Sequence, residues 1–360
     1  MHNIGDTISQ QLESGVVSRY TIMRVLGQGV CGPVFQIQGP GGDYALKTIP
    51  KPRKGEASEA DYLMMLESSP NIVNLAFVIE EEQHLLLAME LCTDDLYSLI
   101  TAPHSPFSFG NPSMEESHNQ AVRATFMKVL DAVEQCHANG IFHRDLKPEN
   151  ILFAEDGGVR LADFGLSTTR TVSYQLGCGS VYYMAPEVIS KGQCSSYAPA
   201  KADMWALGII FLNICTGQNP WESASPTHNN FREYQKNPKI LGRLFPLSSE
   251  GLRIAQALLS VDPILRPSIA QTKDMVKVAT NFIGSRSTPP TSSDEFSDSM
   301  QTESIGSSST LQSKESANKK HSPETSYTEL NQPKPSPNPK PSPGCLGFLC
   351  FGSLFKSHKV

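Results

Sequence analysis

Asp145, Lys147 and Asn150 fall within one charge-dense stretch, HRDLKPEN (143–150), directly behind the apolar run GIF. Most such stretches are solvated loops, but these residue types can do chemistry together. A carboxylate at 145 can take a proton from an attacking hydroxyl. An ammonium two residues on can neutralise charge on a transferring phosphoryl group, and the Asn150 amide oxygen suits a hard cation. LADFG (161–165) then places Asp163 in a short apolar strand. Asp163 and Asn150 together could hold Mg2+ against nucleotide phosphates, and the two motifs in this order point to the floor of a reactive cleft.

A second group lies upstream. GQGVCGPV (27–34) has the form G-x-G-x-x-G-x-V after a strand-like run, with glycines at 27, 29 and 32 and Val34 closing the pattern. Glycines there let backbone N–H groups approach a phosphate where side chains would collide. Alone, the motif fits a plain structural hairpin equally well, and a Rossmann turn shares its spacing. Farther on, YALK sets Lys47 in a strand among apolar neighbours. A buried ammonium there needs an acidic partner. Glu59 of EASEADYLMMLE has the best register for it, with Glu56 and Asp61 as alternatives and a solvated Lys47 as the bland reading.

The elements that must position these groups change character along the chain. YTIMRVLG, PVFQIQG, DYALKTI, IVNLAFVIEE and HLLLAMEL read as short strands, interrupted by one helical stretch, SEADYLMMLE. After about residue 94 helices take over. NQAVRATFMKVLDAVEQCHANG carries Val122, Phe126, Val129 and Val133 on one stripe, and KADMWALGIIFLNICTG is apolar nearly all round, as a core helix is. The expected fold class is α+β: a small β-rich lobe with one key helix, followed by a larger helical lobe.

Composition narrows the function. The chain has 360 residues, 39% of them hydrophobic, and a formal charge of −6, which argues against a nucleic-acid partner. Its eight cysteines form no CxxC pair or metal-ligand cluster. The N-terminal MHNIGDTISQQLESG lacks the apolar centre of a signal peptide, and no run is long enough to span a bilayer. The expectation is a reducing, intracellular compartment, cytoplasmic or nuclear. Residues 1–17 read as a short extension, 18–282 as the folded domain, 283–343 as a Ser/Thr/Pro-rich disordered linker and 344–360 as an apolar Cys/Phe-rich segment.

Residues 18–282 resemble a eukaryotic protein kinase domain from the Gly-rich loop to the last helix, with a bilobal fold dividing near residues 91–92. The resemblance implies ATP and Mg2+ as cofactors and protein Ser/Thr hydroxyls as acceptors. Leu26, Gly27, Gly29, Gly32, Val34 and Ala45 would enclose ATP, and Lys47 paired to Glu59 would hold its phosphates. Met89 would be the gatekeeper, with Glu90 to Cys92 the hinge that reads adenine. Asp145 would be the catalytic base, supported by Lys147, with Asn150 and Asp163 on the metal. Glu187 of APE would pair with Arg266, and Asp203 would anchor the catalytic loop. Lys147 in DLKPEN and Ser180 in GCGSVYYMAPE are similar to the Ser/Thr class.

QNPWESASPTHNNFREYQKNPKIL, with the motifs above, further resembles the fungal kinases that restrain conjugation and meiosis and answer nutrient supply. That implies nutrient or developmental signalling, by analogy. Two departures stand out. The usual activation-loop phosphosite falls at Gln175 or Leu176, so either no activating phosphate is needed or Ser173 takes it. LCTDDLYSLI is one residue tight, leaving Asp94 and Asp95 both as ribose candidates. A pseudokinase or tail-based scaffold is the alternative, and a monomeric catalytic domain is expected. In the tail, Cys345 and Cys350 are candidate S-acylation sites for peripheral membrane contact, the rival reading being a segment that docks on the domain.

Overall fold

Strands of alternating or continuous apolar character curl into one antiparallel sheet at the start of the chain. These are β1 (Thr7–Gln11), β2 (Val17–Gly29), β3 (Gly32–Gly39), β4 (Gly42–Pro50), β5 (Leu75–Glu80) and β6 (His84–Glu90), in the order β1-β2-β3-β4-β6-β5. A computed structural model describes residues 2–284, apart from 13, 30–31, 104, 108–114 and 190–194. The linker from residue 285 and the segment 344–360, with Cys345 and Cys350, lie outside the described residues.

Strands β4 and β6 bury side chains on both of their faces. Tyr20, Ile22, Phe35, Ile37, Leu46, Leu86 and Ala88 form one cluster, tightened by Tyr20 and Phe77 rings 4.7 Å apart. Ile49, Leu87 and Met89 join a larger core on the other side. Residues 86–89 of β6 therefore alternate between two cores, which explains their unbroken apolar run.

Strand β1 comes from the stretch read as an extension. Thr7 pairs with Thr21 and Gln11 with Val17, and Ile8 is buried against the outer cluster. TISQQ has a single large apolar residue, so its pattern is too weak to show a strand. The domain also runs slightly past residue 282: Ile283 is buried and bridges to Leu247, and the Gly284 amide donates to the Pro246 carbonyl.

The helices are α1 (Glu59–Met65), α2 (Leu96–Thr101), α3 (Glu115–Ala138), α4 (Pro186–Ile189), α5 (Pro199–Thr216), α6 (Asn229–Lys236), α7 (Leu241–Leu244), α8 (Ser249–Leu258) and α9 (Ile269–Val278). All but α1 belong to the helical part. There α3 buries its stripe against α5, with Phe126 and Phe211 rings 5.1 Å apart, and α5 is buried from Asp203 to Cys215. A small sheet of β7 (Asp94–Asp95), β8 (Ile151–Phe153) and β9 (Val159–Leu161) carries the charged motifs at its ends.

Candidate active site

Pairing of β3, β4 and β6 sets Lys47 between Val34 and Leu87, and Ala45 beside Met89. The Lys47 ammonium donates to both Glu59 oxygens, at 2.8 and 2.7 Å, and to Asp163 Oδ1 at 2.8 Å. Of the three candidate acids Glu59 is thus the partner. Asp61 forms a capping box with Ser58, whose hydroxyl accepts from the Asp61 amide, and Glu56 sits on the cleft wall. The box starts α1 at Glu59 itself, so the cap fixes where this carboxylate points. Glu59 Oε1 also accepts from the Phe164 amide at 3.3 Å.

Burial opposes charge throughout this triad; the ion pairs win at Lys47 and Asp163, and burial wins at Glu59. Desolvation would lower Lys47, yet Asp163 and Glu59 raise it. Burial pushes Asp163 up, but Lys47 outweighs it and holds the carboxyl down at about 2. Glu59, more deeply buried, is raised by desolvation despite Lys47.

The second group forms around Asp145. Its Oδ2 accepts from Lys147 Nζ at 2.9 Å and its Oδ1 from the Ser180 amide at 2.8 Å; Lys147 Nζ also reaches Ser180 Oγ at 3.0 Å. Asn150 Nδ2 donates to the Asp145 carbonyl at 2.9 Å, which leaves its amide oxygen for other use. Beneath, Asp203 accepts from the His143 and Arg144 amides and bonds His137. Arg144 and Asp163 both hold φ 65°, a strained region for these residues that marks sites where geometry is imposed. Gly179, at φ 105°, packs so closely that a Cβ would lie 2.5 Å from the Arg144 carbonyl oxygen.

Between the two groups opens a cavity of about 510 Å3. Leu26, Gly29, Val34, Ala45, Met89, Glu90 and Cys92 line its apolar end; Lys47, Glu59, Asp145, Asn150 and Asp163 line its polar end. Burial pushes the Cys92 thiol up to about 12. Gly27 and Gly32 belong to the β2–β3 hairpin without lining the cavity, and Gly32 takes φ 137° at its turn. Lys147 and Ser180 are held beside the site by Asp145, which the Lys147 ammonium and the Ser180 amide both contact. Ser173, Glu187 and Arg266 lie away from the cavity: Arg266 grips Glu187 at 2.6 and 2.8 Å, and Ser173 bonds Arg144.

Sequence reasoning passed over Glu149, Leu152, Ala162 and Leu166, which also line the cavity. Each adjoins a motif residue, so the strand alternation beside HRDLKPEN and DFG was the available signal. Glu149 is raised by burial, and its Oε2 has no hydrogen-bond partner among the described residues. Asp95 spends both oxygens capping α2, on the Ser98 amide and hydroxyl, while Asp94 stays half-buried on β7.

A nucleotide and a divalent cation fit this donor set. The apolar end can take a flat base and the polar end can take phosphates. Asn150 and Asp163 offer hard oxygens, two protein ligands being typical where phosphates complete a Mg2+ shell. A β-rich lobe and a helical lobe thus carry a cleft of this composition. The protein kinase domain model matches residues 20–276, and the chain belongs to the protein kinase family.

Relatives include the negative regulator of sexual conjugation and meiosis of Schizosaccharomyces pombe, 32% identical over 288 residues, which are 72% of this chain and 59% of that protein. The serine/threonine-protein kinase ksp1 of the same yeast is 34% identical over 248 residues, 66% of this chain and 51% of its own. Sperm motility kinase 3A of Mus musculus is 34% identical over 268 residues, covering 71% and 49%. The chain thus spans from about half to six tenths of these relatives.

Proposed function

We propose that this chain transfers the γ-phosphate of Mg-ATP to Ser or Thr hydroxyls of proteins. The observation that carries the reading is the convergence of Lys47, Glu59, Asp145, Asn150 and Asp163 on one cavity, with Lys47 tied to Glu59 and Asp163, and Asp145 aimed by Lys147 and the Ser180 amide. Lys47, fixed by Glu59, binds and orients phosphate oxygens. Asp145 accepts the hydroxyl proton, and Lys147, tied to Ser180, neutralises charge on the transferring group. Asn150 and Asp163 would hold the metal, which would supply positive charge to offset that of the phosphates. Leu26, Val34, Ala45 and Met89 enclose the base, and the backbone of Glu90 to Cys92 reads its edge.

Likeness to a negative regulator of sexual conjugation and meiosis supports a role in developmental or nutrient signalling. Among the described residues, Cys92, Cys136 and Cys215 are free thiols, in keeping with a reducing compartment. Phosphate transfer from Mg-ATP to mixed Ser/Thr peptides by the full chain, beside Asp145→Asn, tests the activity. Transfer that disappears in the variant supports an enzyme; an unaltered chain that neither transfers phosphate nor binds ATP would make it a scaffold.

A further inference from the structure

Arg144 immediately precedes the catalytic base, and among the described residues its guanidinium donates to neutral groups. Its Nε donates to the Leu166 carbonyl at 2.6 Å, and its Nη1 to Gln175 Oε1 at 2.9 Å and Ser173 Oγ at 3.4 Å. No carboxylate lies within ion-pair reach of it among the described residues. On α1 the Tyr62 phenol feels the Arg144 charge. The helix begins only at Glu59, so it contributes no basic residue there.

The segment facing Arg144 is tied down by its own backbone. Ser173 and Tyr197 exchange amide–carbonyl bonds, both 2.9 Å, the Gln175 amide donates to Ser173 Oγ at 3.2 Å, and the Gly177 amide donates to the Val188 carbonyl at 2.8 Å. The chain here is extended, so 173 and 175 turn toward Arg144 while Tyr174 stands 72% exposed between them. Ser173 is only 4% exposed, with its hydroxyl already engaged. A phosphate there would have to displace these bonds and open the bridge to Tyr197.

From this we propose that Gln175 and Ser173 are positioning residues: they clasp Arg144 with neutral oxygens, and through it hold Asp145 and the Ser180 amide in place without any loop phosphate. The amide oxygen of Gln175 does for the guanidinium what an anion would do, as a charge-assisted hydrogen bond. Because Arg144 N and the next residue's carboxylate share one short backbone turn, loosening the guanidinium loosens Asp145. The idea rests on the kinase reading above, which supplies the reaction that is being positioned.

The test uses the full chain, treated with phosphatase and verified by mass spectrometry to carry no phosphate between residues 166 and 187. The treated protein is expected to keep its turnover. Gln175→Ala should lower kcat about three- to tenfold with the KM for ATP little changed, because the lost contact is one hydrogen bond to a charged group. Gln175→Glu should restore it, and Ser173→Asp should lower rather than raise activity. Arg144→Ala and Arg144→Ala/Gln175→Ala should be equally impaired, since Gln175 acts through Arg144.

Hydrogen exchange of residues 171–180 gives a second readout that needs no activity, with protection expected to fall in Gln175→Ala. Loss of turnover on phosphatase treatment, activation by Ser173→Asp, or unchanged exchange and turnover in Gln175→Ala would each overturn the proposal. A wild type that transfers nothing, yet whose exchange responds to Gln175→Ala, would sink the kinase reading while sustaining the clasp.

Discussion

A lysine ammonium between a buried and a half-buried carboxylate is stable only as a set. Asp163, held down at about 2, contributes stability that is present above the ordinary carboxylate range and lost as pH falls from about 4 towards 2. Glu59 has the opposite sign: its raised value means that burial costs stability once pH climbs through its titration. Lys47→Met leaves both charges uncompensated, which costs about 3 kcal/mol or more at neutral pH. The carboxylates can then escape the cost by protonation. The gap in melting temperature between wild type and Lys47→Met should therefore narrow between pH 7 and pH 5; a gap that stays constant would refute the charge account. Thiols at this scale are also ordered by burial. Cys92, Cys136 and Cys215 are buried and raised, whereas Cys178 is half-buried on the segment after DFG. Among these four, iodoacetamide at pH 8 should label Cys178 first, as peptide mapping would show.

Elements were legible in the sequence where one periodicity ruled. The stripe Val122, Phe126, Val129, Val133 fixes the buried face of α3, and the alternation of Leu86 to Met89 fits a strand with a core on either side. Strand β1 was hidden because Ile8 alone marks its inner face and its partner, Thr21 to Val17, is met only after a turn. The site divides in the same way. Asp145, Lys147, Asn150 and Asp163 announce themselves by short spacings, whereas the bridge of Ser173 to Tyr197 joins segments that no local pattern relates. Helix α1 is the element on which most depends. Its seven residues are too few to be stable alone, and it starts at the residue that orients Lys47. Ser58→Ala removes half of the capping box and should cost about 1 kcal/mol. It should also lower transfer, because the first turn carrying Glu59 frays, and Ser58→Thr should recover both. Wild-type turnover in Ser58→Ala would show that packing of Tyr62 and Leu63, not the cap, sets Glu59.

For the whole molecule, the question is what ties the segment carrying Ser180 to the helical core. The APE end of that segment hangs on one side chain. Arg266 is fully buried; it donates to both Glu187 oxygens, to the Ser260 and Lys201 carbonyls, and lies 5.0 Å over the Trp205 ring. It thus joins α4, α5 and the α8–α9 connection, three parts far apart in sequence. Removing one partner from such a pair strands a buried charge, at about 3 to 5 kcal/mol, whereas replacing both with apolar groups is often close to neutral. Glu187→Leu and Arg266→Met should each lower the denaturation midpoint sharply, and the double variant should recover much of the loss. Its transfer rate should not recover, because an apolar pair lacks the forked geometry that fixes the end of the segment and, through it, the Ser180 amide on Asp145. Recovery of both stability and transfer would mean that the pair serves the core alone. Recovery of neither would mean that the carbonyls of Ser260 and Lys201 need the guanidinium as much as Glu187 does.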